Sequence, residues 1–97
     1  MKNRKTKDLK RVLVKKGFEL FPEKDHHEFY YLMINGIKQR VYTYFSHGKS
    51  EYGDSLMSQI KKQLKFDTTQ NAEDFFDCPM TAEQYIEMLK KNNHVKP

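Results

Sequence analysis

Residues 24–49 read KDHHEFYYLMINGIKQRVYTYFSHGK, and this stretch decides the fold. It holds three of the chain's four histidines and four of its six tyrosines. Residues 29–34 are aromatic and aliphatic almost without a break, Asn35-Gly36 follows, and residues 37–45 are again rich in β-branched and aromatic types. Two β-prone runs joined by Asn-Gly predict a hairpin, because both central residues of a type I′ turn need positive φ. A two-residue turn sets Ile34 opposite Ile37, which places Arg40 opposite Tyr31 and Tyr44 opposite His27. His47 then projects just past the ladder near Lys24 and Asp25. Side chains alternate along a strand. One face therefore carries His27, Phe29, Tyr31, Met33, Lys38, Arg40, Tyr42 and Tyr44, cationic and aromatic with one histidine. The face with Leu32, Ile34, Ile37 and Val41 is the one expected to pack on helices.

On the N-terminal side, residues 6–16 read as a helix with Thr6 as N-cap and Asp8 in the first turn, where the dipole favours it. Leu9, Val12 and Leu13 form its apolar stripe, and Gly17 suits the left-handed C′ position. Residues 18–22 predict a short strand with Phe18 and Leu20 on one side, ended by Pro22. Beyond the hairpin comes a polar loop, residues 46–53. Asp54 caps a helix over 55–65 with Leu56, Met57, Ile60 and Leu64 in a stripe. Thr68 or Thr69 opens a short acidic helix ending at Phe76. Thr81-Ala82-Glu83-Gln84 is a capping box for a last helix to about Lys91, and residues 94–97 are expected to fray. The fold class is α+β: an α-β-β-β-α sandwich, a three-stranded antiparallel sheet with helices on one face, plus two C-terminal helices. Residues 1–66 form that unit, and residues 67–97 an acidic helical extension packed on or following it.

A chain of 97 residues fits one domain. It can build a modest core and a surface site rather than a deep cleft. The net charge of +5 is unevenly spread. Residues 1–17 carry eight Lys or Arg against one Asp, whereas residues 66–89 carry six acids and no Lys or Arg. A basic half points to a polyanionic partner, although a lysine-rich helix is equally a solvated face. No apolar run approaches the ~20 residues needed to cross a bilayer, and the basic start lacks the apolar segment of a signal peptide. The single cysteine, Cys78, excludes an internal disulfide and fits a reducing compartment; a buried thiol is expected. No Cys/His set has zinc spacing. The expectation is a cytoplasmic protein with no cofactor, no metal and no membrane partner.

The order of elements and several of these residues resemble the HicA family of toxin ribonucleases. Those residues are Asp8-Leu9, Gly17-Phe18 at the end of the first helix, the segment His27-Glu28-Phe29-Tyr30-Tyr31, Ser46-His47-Gly48 after the third strand, and the helix from Leu56 to Leu64. Together they cover about residues 6–66. The resemblance implies a fold like a double-stranded-RNA-binding domain, a single catalytic histidine at the start of the second strand of the family's sheet, mRNA as substrate, and a HicB-like antitoxin as partner. The family often has a small pair such as Gly-Ser before its histidine, where this chain has Lys24-Asp25-His26. His26 and His27 are both candidates for the catalytic place, and counting back from the Asn-Gly turn favours His27.

The chemistry suits such residues. RNA carries its own nucleophile, the 2′-hydroxyl, so cleavage needs a base for that proton and an acid for the leaving oxygen. Imidazole can do either. Positioned acid–base catalysis is worth about 10²–10⁴ in rate, so one histidine makes a slow nuclease. Lys24, Lys38, Arg40 and Lys49 are candidates to hold phosphate. Tyr42 and Tyr44 are candidates to stack on unpaired bases, and His47 stands at the same end of the hairpin as His27. Two other classes fit the same residues. One is a non-catalytic RNA-binding module using this face. The other is a protein-interaction domain in which the acidic extension covers the basic face of its own or another chain.

Overall fold

The computed structural model describes residues 1–22, 27–46 and 48–95. Lys24, His26 and His47 lie outside the described residues. In chain order the elements are β1 (Arg4–Lys5), α1 (Thr6–Lys15), β2 (Phe18–Pro22), β3 (His27–Ile34), β4 (Ile37–Ser46), β5 (Glu51–Tyr52), α2 (Asp54–Gln63), α3 (Thr69–Asp77) and α4 (Ala82–Lys91). β2, β3 and β4 form an antiparallel sheet in that spatial order, so the fold is α+β as the sequence predicts. The two-residue strands β1 and β5 pair with each other in a separate ribbon, which sequence periodicity is too short to reveal.

The hairpin turns through Asn35 (φ 52°) and Gly36 (φ 78°), as a type I′ turn requires. Its register differs from the expected one. Ile34 faces Ile37 and Met33 faces Lys38, but Tyr31 faces Tyr42, Phe29 faces Tyr44 and His27 faces Ser46. Between those two blocks β3 supplies Leu32 alone, while β4 supplies Gln39, Arg40 and Val41. The surplus is a bulge, and it displaces Arg40 from Tyr31 and Tyr44 from His27. Because the surplus is two residues and the side-chain period is also two, every residue keeps its face although its partner changes.

The inner face buries Phe18, Tyr30, Leu32, Val41, Thr43 and Phe45. Against it pack Leu9, Val12 and Leu13 of α1, Met57 and Ile60 of α2, and Phe66, Ala72, Phe75, Phe76, Tyr85 and Leu89 from the C-terminal third. Phe18 meets Phe75 edge-on at 6.3 Å and Tyr85 at 6.0 Å, and Phe75 and Tyr85 are themselves 4.8 Å apart. Residues 67–95 thus share the core of the sheet, on the side away from the aromatic face. The acidic helix α3 also meets the basic N-terminal segment. The Arg4 guanidinium donates to Asp77 at 2.9 Å and to Glu73 at 3.0 Å. Those hydrogen bonds hold the Asp77 carboxyl below its ordinary range. Among the described residues no helix is long and apolar enough to cross a membrane.

The helix ends depart from the sequence reading in several places. Lys5, not Thr6, is the N-cap of α1, and the Thr6 hydroxyl donates instead to the Lys49 carbonyl at 2.7 Å. Gly53, not Asp54, caps α2. Thr68 caps α3, and the Thr81–Gln84 box on α4 is complete. Residues 92–95 are not frayed as far as they are described. Asn93 takes φ 60°, the amides of Asn93 and His94 donate to Lys90 and Leu89, and Val95 returns to the core. Cys78 is exposed rather than buried, at the left-handed cap of α3 (φ 78°).

Lys16 is 4% exposed. Its Nζ donates to the carbonyls of Phe75 (2.6 Å) and Met80, and lies 4.7 Å from the Phe75 ring centre. The last turn of α3 carries no basic residue of its own. Lys16 therefore supplies, from the end of α1, the cation that the carbonyl end of a helix favours. Burial pushes its ammonium below the ordinary lysine value. Replacing Lys16 by Met keeps the apolar stem and removes the donors; we expect a loss of about 2–3 kcal/mol in urea-unfolding stability.

Burial also pushes the Tyr85 hydroxyl well above its ordinary value, and that hydroxyl donates to the Leu64 carbonyl at 2.8 Å. Above about pH 10 the unfolded chain releases a proton that the folded chain keeps, so this contribution is complete below pH 10 and is lost above it. Tyr85→Phe is expected to cost about 1–2 kcal/mol near neutrality. The gap to wild type should then narrow above pH 10 by up to about 1.4 kcal/mol per pH unit in paired denaturation curves.

Candidate functional site

Strand alternation sends Phe21 of β2, His27, Phe29, Tyr31 and Met33 of β3, and Lys38, Tyr42, Tyr44 and Ser46 of β4 to the outer face of the sheet. None of them is buried. β-branched and aromatic residues suit this pleated surface, but among the described residues no helix lies over them, so their rings pack on one another. His27 meets Tyr44 at 5.3 Å and Phe29 at 6.3 Å between ring centres. Phe29 lies 5.3 Å from Tyr44 and 5.9 Å from Tyr42. Tyr31 stacks on Tyr42 at 4.9 Å with 26° between planes, and Phe21 stands edge-on to Tyr31 at 5.4 Å. The Lys38 ammonium closes the row, 4.0 Å from the Tyr31 ring centre and 4.6 Å from that of Phe21.

The result is a continuous strip with an imidazole at one end and an ammonium at the other. Six strand positions separate His27 from Met33, the partner of Lys38; at ~3.3 Å per residue that is roughly 20 Å. Such a strip offers π faces to flat ligands, with an imidazole at one end and an ammonium at the other. Among the described residues the imidazole makes no hydrogen bond or ion pair, and its ring neighbours are Tyr44 and Phe29. Ser46 stands opposite it across the ladder.

The residues expected to act together fall into three places. His27, Tyr42 and Tyr44 share the strip. Lys38 and Arg40 stand at its far end, by the bulge, and Arg40 is exposed. Lys49 belongs elsewhere, lining a shallow cleft with Lys5, Lys7 and Lys10 at the start of α1. Lys10 is itself engaged, paired with Glu28 beside the Phe45 ring. Phe21, Phe29 and Tyr31 are part of the strip although sequence reasoning singled out only Tyr42 and Tyr44 as ligand contacts. The signal that finds them is parity, since all of them share the face of His27. Among the described residues no three His, Cys, Asp or Glu side chains are placed to hold a metal ion.

Because His27 has no polar partner among the described residues, its removal should barely affect the fold. We expect His27→Ala to unfold within about 1 kcal/mol of wild type in urea, a shift that leaves any change in chemistry attributable to the imidazole itself. No family model, curated protein or solved structure matches this chain, and the resemblance to the HicA family rests on the residues quoted for it.

Proposed function

We propose that this protein is a toxin-like, metal-independent endoribonuclease acting on single-stranded mRNA, with His27 as its general acid or base. The observation that carries the reading is the uncovered aromatic strip ending in an imidazole. Base-on-aromatic stacking is worth about 1–3 kcal/mol per base and tolerates any sequence, because every base has a π face. Unpaired bases seated on Phe29, Tyr42 and Tyr44 would bring a ribose and its 3′-phosphate to the His27 end. There the imidazole takes the 2′-hydroxyl proton, the oxygen attacks phosphorus, and the bond to the 5′-oxygen breaks as that oxygen gains a proton. The products are a 2′,3′-cyclic phosphate and a 5′-hydroxyl end. The setting proposed is the cytoplasm, and the partner a HicB-like antitoxin that masks the strip.

A second reading is a non-catalytic RNA-binding module. One observation favours it: among the described residues His27 has rings but no hydrogen-bonded acid or base beside it. One experiment separates the two. Purified protein is incubated with a defined single-stranded RNA in EDTA, as wild type, His27→Ala and His26→Ala. The nuclease reading expects cleavage that survives EDTA, leaves cyclic-phosphate ends, and falls by about 10²–10⁴ with His27→Ala. Equal cleavage by His27→Ala removes His27 from the chemistry. Binding without cleavage in all three supports the module.

A further inference from the structure

The strip does not stop at Lys38. Beyond it, between the hairpin tip and the end of α4, lies a cleft of about 570 Å³ lined by Lys38, Gln39, Arg40, Lys90, Asn93 and His94 among others. Among the described residues its lining holds three Lys or Arg side chains, a histidine and side-chain amides beside the apolar Ile34, Ile37 and Val95, and no acid. Two local features build it. The β4 bulge lets Gln39 and Arg40 stand out of the regular ladder, and the Gln39 amide donates to the Ile37 carbonyl at 3.1 Å. On the other wall the end of α4 folds back on itself. The amides of Asn92, Asn93 and His94 donate to the carbonyls of Met88, Lys90 and Leu89. That fold-back brings His94 to the cleft and satisfies three of the carbonyls at this end of α4, and the cationic lining offsets the negative end of the helix. Lys90 has one acidic neighbour, Glu87, at 4.0 Å, in a solvent-exposed pair that an incoming phosphate can displace.

We propose that this cleft binds the phosphodiester backbone of the same single-stranded RNA whose bases stack on the strip, with Lys90 and His94 as phosphate contacts beside Arg40. The inference rests on the RNA-binding reading of the strip and extends it. Lys38 is the joint, because it lines the cleft while its ammonium lies over the Tyr31 ring. The strip and cleft then form one track from His27 to His94. Short oligonucleotides fill only the strip, and longer ones also reach the cleft.

The test uses the full chain carrying His27→Ala, so that the probe stays intact. Two fluorescein-labelled oligouridylates, of about four and about twelve nucleotides, are titrated by anisotropy across a salt series, within the site sizes single-strand binders use. Lys90→Gln/His94→Gln and Tyr42→Ala are compared in that background. The proposal expects the double variant to weaken the longer probe about 5- to 10-fold. It also expects a salt slope shallower by about 0.7 per lost phosphate contact, with the shorter probe unchanged. Tyr42→Ala should weaken both probes. If the double variant matches its parent on the longer probe while Tyr42→Ala still weakens both, the cleft is no phosphate site and the strip reading stands. If Tyr42→Ala changes neither probe, the strip reading fails and this proposal fails with it.

Discussion

Phe18 begins β2 immediately after the left-handed Gly17 (φ 99°), and its ring lies against Phe75 and Tyr85. Its position joins α1 and the sheet to the C-terminal helices. Phe66 completes the group, 5.2 Å from Phe75 and 5.3 Å from Tyr85. Removing a buried ring of this kind typically costs about 3–5 kcal/mol, which is comparable with the whole stability of a small domain. Lys16, two positions earlier, ties the carbonyl end of α3 to the end of α1. The acidic third of the chain is therefore part of the core, and its negative charge serves Arg4 rather than covering the aromatic sheet face.

Since all the helices gather on the Phe18 side, the opposite face is left to its own side chains. Rings that would otherwise be core become a surface row, ordered by contact with each other and closed by Lys38. Most of its rings are half-buried against one another and Tyr42 is exposed, and a contiguous apolar row at the surface marks an interaction site more often than an accident of composition. Under the function proposed above, the cationic side chains beside it select for ligands that carry negative charge as well as flat apolar groups. Nucleic acid meets both conditions.

Much of this was legible in residues 24–49. Asn35-Gly36 fixed the hairpin because few pairs accept positive φ twice, and alternation fixed which residues share a face. The bulge was not legible. Its only trace is Gln39, a polar residue where the inner face should be apolar, in the run Lys38-Gln39-Arg40. Caps were read correctly where side-chain spacing defines them, as at Thr81 and Gln84. They were misread where a backbone carbonyl far along the chain competes for the hydroxyl, as Lys49 does for Thr6. The burial of Lys16 also escaped the reading, since its partners are main-chain oxygens that leave no mark in a sequence. Nothing in composition places Lys38 and Arg40 at the opposite end of the strip from His27; that follows from strand length alone.

The two-residue surplus in β4 also bears on how such a chain can vary over descent. Unless taken up as a further bulge, a single inserted or deleted residue between the turn and Tyr42 would invert every position beyond it, turning Thr43 and Phe45 outward and Tyr42 and Tyr44 into the core. A change of two would merely enlarge or erase the bulge. The length of this strand is thus constrained in parity rather than in absolute value, and the existing bulge is a place along the strand where length can be absorbed without altering which face turns outward.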